Sequence, residues 1–313
     1  MTRTAAASLA PDIGDAPTYE RRSDARTLAV VGLHFGVVFA PLYVTAALGI
    51  GWWVVPCWLW FGLLSQGALL ALHEAAHKLL LANVRANELL ASWVLAPLFF
   101  ADFAAFRRRH WDHHRQLGLA GDPKYTYRID VAGPRFPRLV VSCLVLAQAL
   151  RRVDYQSGAQ SGSTARSARQ AIVAVALGQA VLFASLLAVA WATHPGDVRG
   201  MLLATATAYL FVYVYGLASL GVLMHALRGI IEHRRGNPAE PHVNEAALRN
   251  FDDGFVERWV FAPYGFVEHA THHRYPGIPY YALPAVTAVR RAGYPDLAGV
   301  GSHLTVLRRL VTG

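Results

Sequence analysis

Four apolar runs, each about long enough to cross a bilayer, constrain this chain more than any other feature. Residues 28–50 (LAVVGLHFGVVFAPLYVTAALGI) carry no charge, and as a helix they would extend about 34 Å, enough for a hydrocarbon core of about 30 Å. Residues 52–72 form a second run after almost no turn, opening on Trp52 and Trp53, an aromatic pair suited to the membrane interface. Residues 171–192 and 201–225 repeat the arrangement across the short loop THPGDVRG. The expected fold is an all-α integral membrane protein with four transmembrane helices in two hairpins. Two further apolar stretches, 89–106 and 139–150, are shorter and suit re-entrant or interfacial helices. Composition agrees: 54% of residues are hydrophobic and 16% charged, where soluble domains carry about 45–50% and 25%.

The formal net charge of +9 does not imply a nucleic-acid partner, because the basic residues are interleaved with the apolar runs. Arg3, Arg21, Arg22 and Arg26 precede the first run. Arg107, Arg108, Arg109, Arg151, Arg152, Arg166 and Arg169 lie between the hairpins, and Arg234 and Arg235 follow the second. The positive-inside rule therefore puts both termini and the middle segment in the cytoplasm, in a multi-pass protein of the type found in a bacterial inner membrane. Residues 1–27 read as a flexible cytoplasmic arm, 28–290 as the membrane domain and 291–313 as a cytoplasmic tail. SGAQSGS at 157–163 reads as a flexible link. Cys57 and Cys143 both sit in apolar runs and form neither a disulfide framework nor a thiolate metal site.

Histidine carries the chemical signal. Eight of the 14 histidines fall in three spaced boxes: His73 and His77 in HEAAH, His110, His113 and His114 in HWDHH, and His269, His272 and His273 in HATHH. On a helix, residues three and four apart share a face, so each box aims its imidazoles one way. Neutral imidazole suits iron, copper, nickel and zinc. Eight ligands exceed the four that one zinc takes, so two ions are implied. The topology brings the boxes to one side: the first ends the second crossing, the second lies in the cytoplasmic middle segment, and the third follows the last crossing. If 89–106 crossed the membrane, the first two boxes would be separated, which is why that stretch reads as re-entrant.

HEAAH, then RRRHWDHHR followed by GDPKY, then HATHHRYPGIPYYALP resembles the membrane fatty acid desaturase superfamily of histidine-box di-iron enzymes, over residues 70–290. The segment Arg228-Gly-Ile-Ile-Glu232-His233 resembles a family element that supplies a further ligand. The resemblance implies two iron ions held by His73, His77, His110, His113, His114, His233, His269, His272 and His273, with O2 as co-substrate. It implies desaturation of a fatty acyl chain or another lipid-like, apolar substrate; hydroxylation and carotenoid ketolation are the alternatives within the superfamily. Family members often carry an Asn shortly before the third box, where this chain has Gly265-Phe266-Val267-Glu268.

Other residues take supporting or structural readings. Metal-bound imidazoles usually donate their second N–H to a carboxylate or carbonyl, which makes Glu74, Asp112, Asp122, Glu232 and Glu268 candidates, with Arg228 as a partner for one of them. His225 lies eight residues before His233 on nearly the same helix face and reads as a hydrogen-bonded helix-end residue, with a substitute ligand as the alternative. His34, His194, His242 and His303 read as packing or surface residues. The chain contains no GxGxxG fingerprint, flavin motif, CxxCH or Cys-rich iron–sulfur pattern, so electrons are expected from a separate ferredoxin or reductase. Two rival classes remain at this stage. HEAAH is a literal HExxH, the zinc-protease motif with Glu74 as general base, and a metal transporter would place its ligands along a membrane pathway.

Overall fold

The computed structural model describes residues 22–117, 121–124, 129–151, 165–233, 248–293, 297 and 299–312. Among these the architecture is all-helical, apart from isolated bridges pairing His233 with Leu248 and Asn250 with Gly299. Four helices are long and apolar enough to cross a membrane: α1 (Asp24–Leu48), α2 (Val54–Ala76), α6 (Ala165–Thr193, its apolar part Ala168–Thr193) and α7 (Val198–Glu232). Further helices include α3 (Val84–Phe99), α4 (Phe103–Gln116), α5 (Arg135–Leu144), α8 (His269–Arg274), α9 (Leu283–Arg290) and α10 (His303–Thr312). The link at 157–163 and His242 lie outside the described residues.

The spanning helices have no single polar face. Leu33, Ile172, Val181 and Leu210 are all more than half exposed, as expected of side chains that meet lipid rather than water. Their opposite faces bury Val38, Leu42, Phe61, Leu182, Leu186 and Val212 in a common core. α1 begins at Asp24, capped by the Ser23 side chain accepting from the Arg26 N–H, so the helix takes in four residues that the sequence assigns to the arm. α7 runs to Glu232, seven residues past its apolar run. Its middle, Thr207–Tyr215 and Leu217–Gly221, is wound as π-helix.

The short apolar stretch is a bent pair rather than a straight span: α3 meets α4 at 91°. A helix that ends among apolar helices leaves its last carbonyls short of partners, and here the Phe100 N–H donates to the Pro97 carbonyl at 3.1 Å. Two polar residues on spanning helices add side-chain donors. Gln179 of α6 donates through Nε2 to the Pro97 carbonyl at 2.7 Å and to the Tyr213 hydroxyl at 2.7 Å, and Tyr213 donates to the Leu98 carbonyl at 2.8 Å. Tyr209 donates to Gln179 Oε1 at 2.8 Å, completing the network. The neighbouring Gly178 lets the helices approach, since a Cβ there would lie 2.5 Å from Pro97 Cβ. The bend allows α4 to turn back beneath α2, where Trp111 donates to the Ala76 carbonyl at 3.3 Å.

The C-terminal segment carries a helix. α10 packs against the end of α7, and its His303 is fully buried, stacked between Phe251 (3.8 Å between ring centres) and Phe261 (4.9 Å).

Replacing Gln179 by Leu removes one donor and one acceptor from the buried network. The expected loss is about 1–3 kcal/mol, read as a lower melting temperature in detergent, and an unchanged melting temperature would show that α3 is held by packing alone.

Candidate metal centre

His73 and His77 stand one turn apart at the C-terminal end of α2, with His77 as its cap. His110, His113 and His114 lie along α4, and His233 follows the last residue of α7. The third box forms α8, six residues long, too short to hold itself helical without tertiary support. That support comes from Asn250. Its Oδ1 accepts from the N–H groups of Ala270 (2.8 Å) and Thr271 (3.2 Å), and its Nδ2 donates to Thr271 Oγ1 (2.9 Å) and the Leu297 carbonyl (3.0 Å). The turn before the box is tight. Tyr264 and Gly265 have φ of 65° and 85°, and a Cβ at Gly265 would lie 2.8 Å from the Tyr280 carbonyl oxygen.

These elements bring all nine candidate imidazoles into adjoining groups. His73, His77, His110, His114 and His272 have ring nitrogens within 4.8 Å of one another, as do His113, His233 and His273; a third set, Glu232, His233 and His269, shares His233 with the second. Nε2 of His110 lies 2.6 Å from that of His77 and 3.0 Å from that of His114, and His114 is 3.3 Å from Nε2 of His272. In the second group Nε2 of His233 is 3.3 Å from those of both His113 and His269. The stacked rings of His114 and His273, 4.2 Å apart, join the two groups.

Two imidazole nitrogens can share one proton, but five converging on one point cannot all be satisfied that way. Donors held about 2.1 Å from a common cation at right angles are about 3 Å apart, close to the spacing observed. The donor set therefore fits a metal ion in each group. Two nitrogens that face away from the centre are held from behind: His113 Nδ1 by Asp122 Oδ1 at 2.9 Å and His233 Nδ1 by the Gly229 carbonyl at 3.1 Å. Phe266 packs its ring against His73, with 4.6 Å between centres.

The remaining carboxylates differ from one another. Glu74 is completely buried; its Oε2 accepts from the Tyr280 N–H at 3.1 Å, and its Oε1 is 3.9 Å from His73 Nδ1, beyond hydrogen-bond range. Glu268 accepts from Thr287, whose hydroxyl meets Thr271 in α8, so it braces the third box without bonding an imidazole in the contacts observed. Glu232 pairs with Arg228. Asp112 does not support the centre. It pairs with Arg115 at the surface, because position 112 lies on the opposite side of α4 from 110, 113 and 114. His225 belongs to neither group. His34 is buried in α1 with its Nδ1 2.6 Å from the Tyr264 hydroxyl.

Asn250 has no counterpart in the sequence reading. It lies 20 residues before the groups it caps, and its only local signal is a polar amide beside an apolar Phe251.

The fatty acid desaturase family model matches residues 18–302. The chain belongs to the fatty acid desaturase family. No curated protein matches it. Family membership makes the chain an oxidoreductase of the desaturase and hydroxylase superfamily, with a lipid substrate and a place in the membrane. Its histidine groups could hold the metal ions of such an enzyme.

Burial pushes the His77 imidazole down to about 3. Burial, followed by the neighbouring imidazoles and cations, also holds His269, His272 and His273 well below the ordinary histidine value. Below about pH 6.5 the unfolded chain takes up protons that the folded, metal-free site refuses, so acid favours unfolding. The melting temperature of metal-free protein is expected to fall as pH drops from 7 towards 4, and a flat profile would contradict the burial of neutral imidazoles.

Proposed function

We propose that this chain is a membrane di-iron oxidoreductase that uses O2 to desaturate a fatty acyl chain. The observation that supports this most is the convergence of nine imidazoles into adjoining groups in a chain matched by the desaturase family over most of its length. On this reading His73, His77, His110, His114 and His272 hold one iron, and His113, His233, His269 and His273 hold the other. Irons held in this way, once reduced from outside, supply the O2 activation needed to remove hydrogen from an unactivated C–H bond. In the net reaction, two hydrogens leave adjacent carbons, and O2 is reduced to two waters with two electrons and two protons from a donor.

The protein's own residues do the positioning. Asp122 and the Gly229 carbonyl fix two ring orientations, Asn250 sets the third box, and Phe266 packs against His73. Four crossings in two hairpins, α1–α2 and α6–α7, put the histidines on the side of Arg22, Arg107 and Arg169, which the positive-inside rule makes cytoplasmic. A bacterial inner membrane is the location this reading favours. The electron donor is a separate ferredoxin or reductase, with the arginine-bearing surface as the face for an acidic carrier.

The geometry argues against a protease. His73 and His77 share their group with three further imidazoles, leaving no place for the open zinc position that proteolysis needs, and one oxygen of the Glu74 carboxylate is turned to a backbone N–H. The histidines also gather at helix ends rather than along a path through the spanning helices.

Lipid profiles of cells with and without the chain test the reaction. A new alkene in an acyl chain is expected, lost together with bound iron in His113→Ala and His272→Ala but kept in His194→Ala. An alcohol or ketone product would replace desaturation by hydroxylation or ketolation. Full iron and full turnover in the two box variants would overturn the ligand assignment.

A further inference from the structure

Carboxylates can meet a metal-site histidine from two sides. From behind, a carboxylate accepts from the nitrogen that faces away from the metal, as Asp122 does at Nδ1 of His113. Glu232 stands on the other side. Its Oε2 is 3.8 Å from Nε2 of His269, the nitrogen that also faces Nε2 of His233 at 3.3 Å. Nε2 of His233 is in turn 3.3 Å from Nε2 of His113. The carboxylate oxygen is therefore on the side where the imidazole nitrogens converge.

The separations distinguish a hydrogen bond from a shared ion. At 3.8 Å the oxygen is too far from the His269 nitrogen for a hydrogen bond. Two donors bound about 2.1 Å from one cation can be up to about 4.2 Å apart, and the 3.3 and 3.8 Å separations fall inside that limit. Glu232, His233 and His269 all offer donor atoms within 4.8 Å of one another. Glu232 is 1% exposed, and its Oε1 is fixed by Arg228 Nε at 2.6 Å and by the second arm of the same buried guanidinium at 2.5 Å. The arginine holds one oxygen and turns the other towards the imidazoles.

We propose that Glu232 is a direct carboxylate ligand of the second metal ion, beside His233 and His269. The two ions then differ: one is held by imidazoles alone, and the other also by a hard anionic oxygen. Oxygen donation lowers the net charge at one ion only, so the pair is electronically unequal. Arg228 offsets the carboxylate's charge in the buried site.

The inference rests on the two-iron reading, and full-length protein purified in detergent from cells grown on iron-57 tests both. Wild-type protein is expected to hold two irons per chain and to give two distinct Mössbauer doublets. Glu232→Gln should lose one iron or shift one doublet, leaving the other unchanged. Glu232→Asp keeps the charge opposite Arg228 but withdraws the oxygen by one methylene; it should bind the second iron at least tenfold more weakly against a competing chelator. It decides the question if Glu232→Gln does not fold. Two irons with unaltered doublets in Glu232→Gln, or wild-type affinity in Glu232→Asp, overturn the role of Glu232, as does an equal change in both doublets. Fewer than two irons in the wild type would contradict the two-iron reading itself.

Discussion

Nine imidazoles turned towards one another in a buried space are mutually unfavourable unless something positive lies between them. Each neutral ring has one lone pair, and burial discourages protonation, so the rings cannot neutralise the arrangement by exchanging protons. The convergence makes sense around cations, and much of the fold serves to impose it. α2 contributes its C-terminal turn, α4 is bent back at 91° beneath it, α7 extends beyond its apolar run to deliver His233, and α8 is held helical from outside by Asn250. No single element could do this, because the imidazoles come from positions up to 200 residues apart.

The bend between α3 and α4 carries its own cost, since it places a helix end among apolar spanning helices. The Gln179–Tyr213–Tyr209 network adds side-chain donors to the carbonyls of Pro97 and Leu98, and Gly178 gives the close approach this requires. A polar cluster inside a spanning bundle thus supports the metal centre from a distance: it fixes α3, which fixes the start of α4 and so the second histidine box. Arg228 and Glu232 form a second buried polar pair, at the end of α7 where the imidazoles begin.

What could be read from sequence was what depends on local spacing. The apolar runs required spanning helices, and HEAAH, HWDHH and HATHH required imidazoles on common helix faces. The position of Asp112 on the far side of α4 was also legible from helix periodicity, although nearness in sequence suggested a supporting role. Contacts made across the fold were not legible. Asn250 reaches α8 only because the chain between them folds back, Gln179 meets Pro97 only because α3 stops at that depth, and His303 lies between Phe251 and Phe261 because α10 packs onto α7. The side from which Glu232 approaches His269 is likewise a matter of tertiary geometry, invisible in the Glu232-His233 pair itself.

The most direct test of the central claim is the metal content of purified protein, measured for iron and zinc together in material from cells supplied with both. Two irons per chain with little zinc is the expected result. A single zinc with no iron would contradict the di-iron assignment and return the HEAAH segment to hydrolytic chemistry.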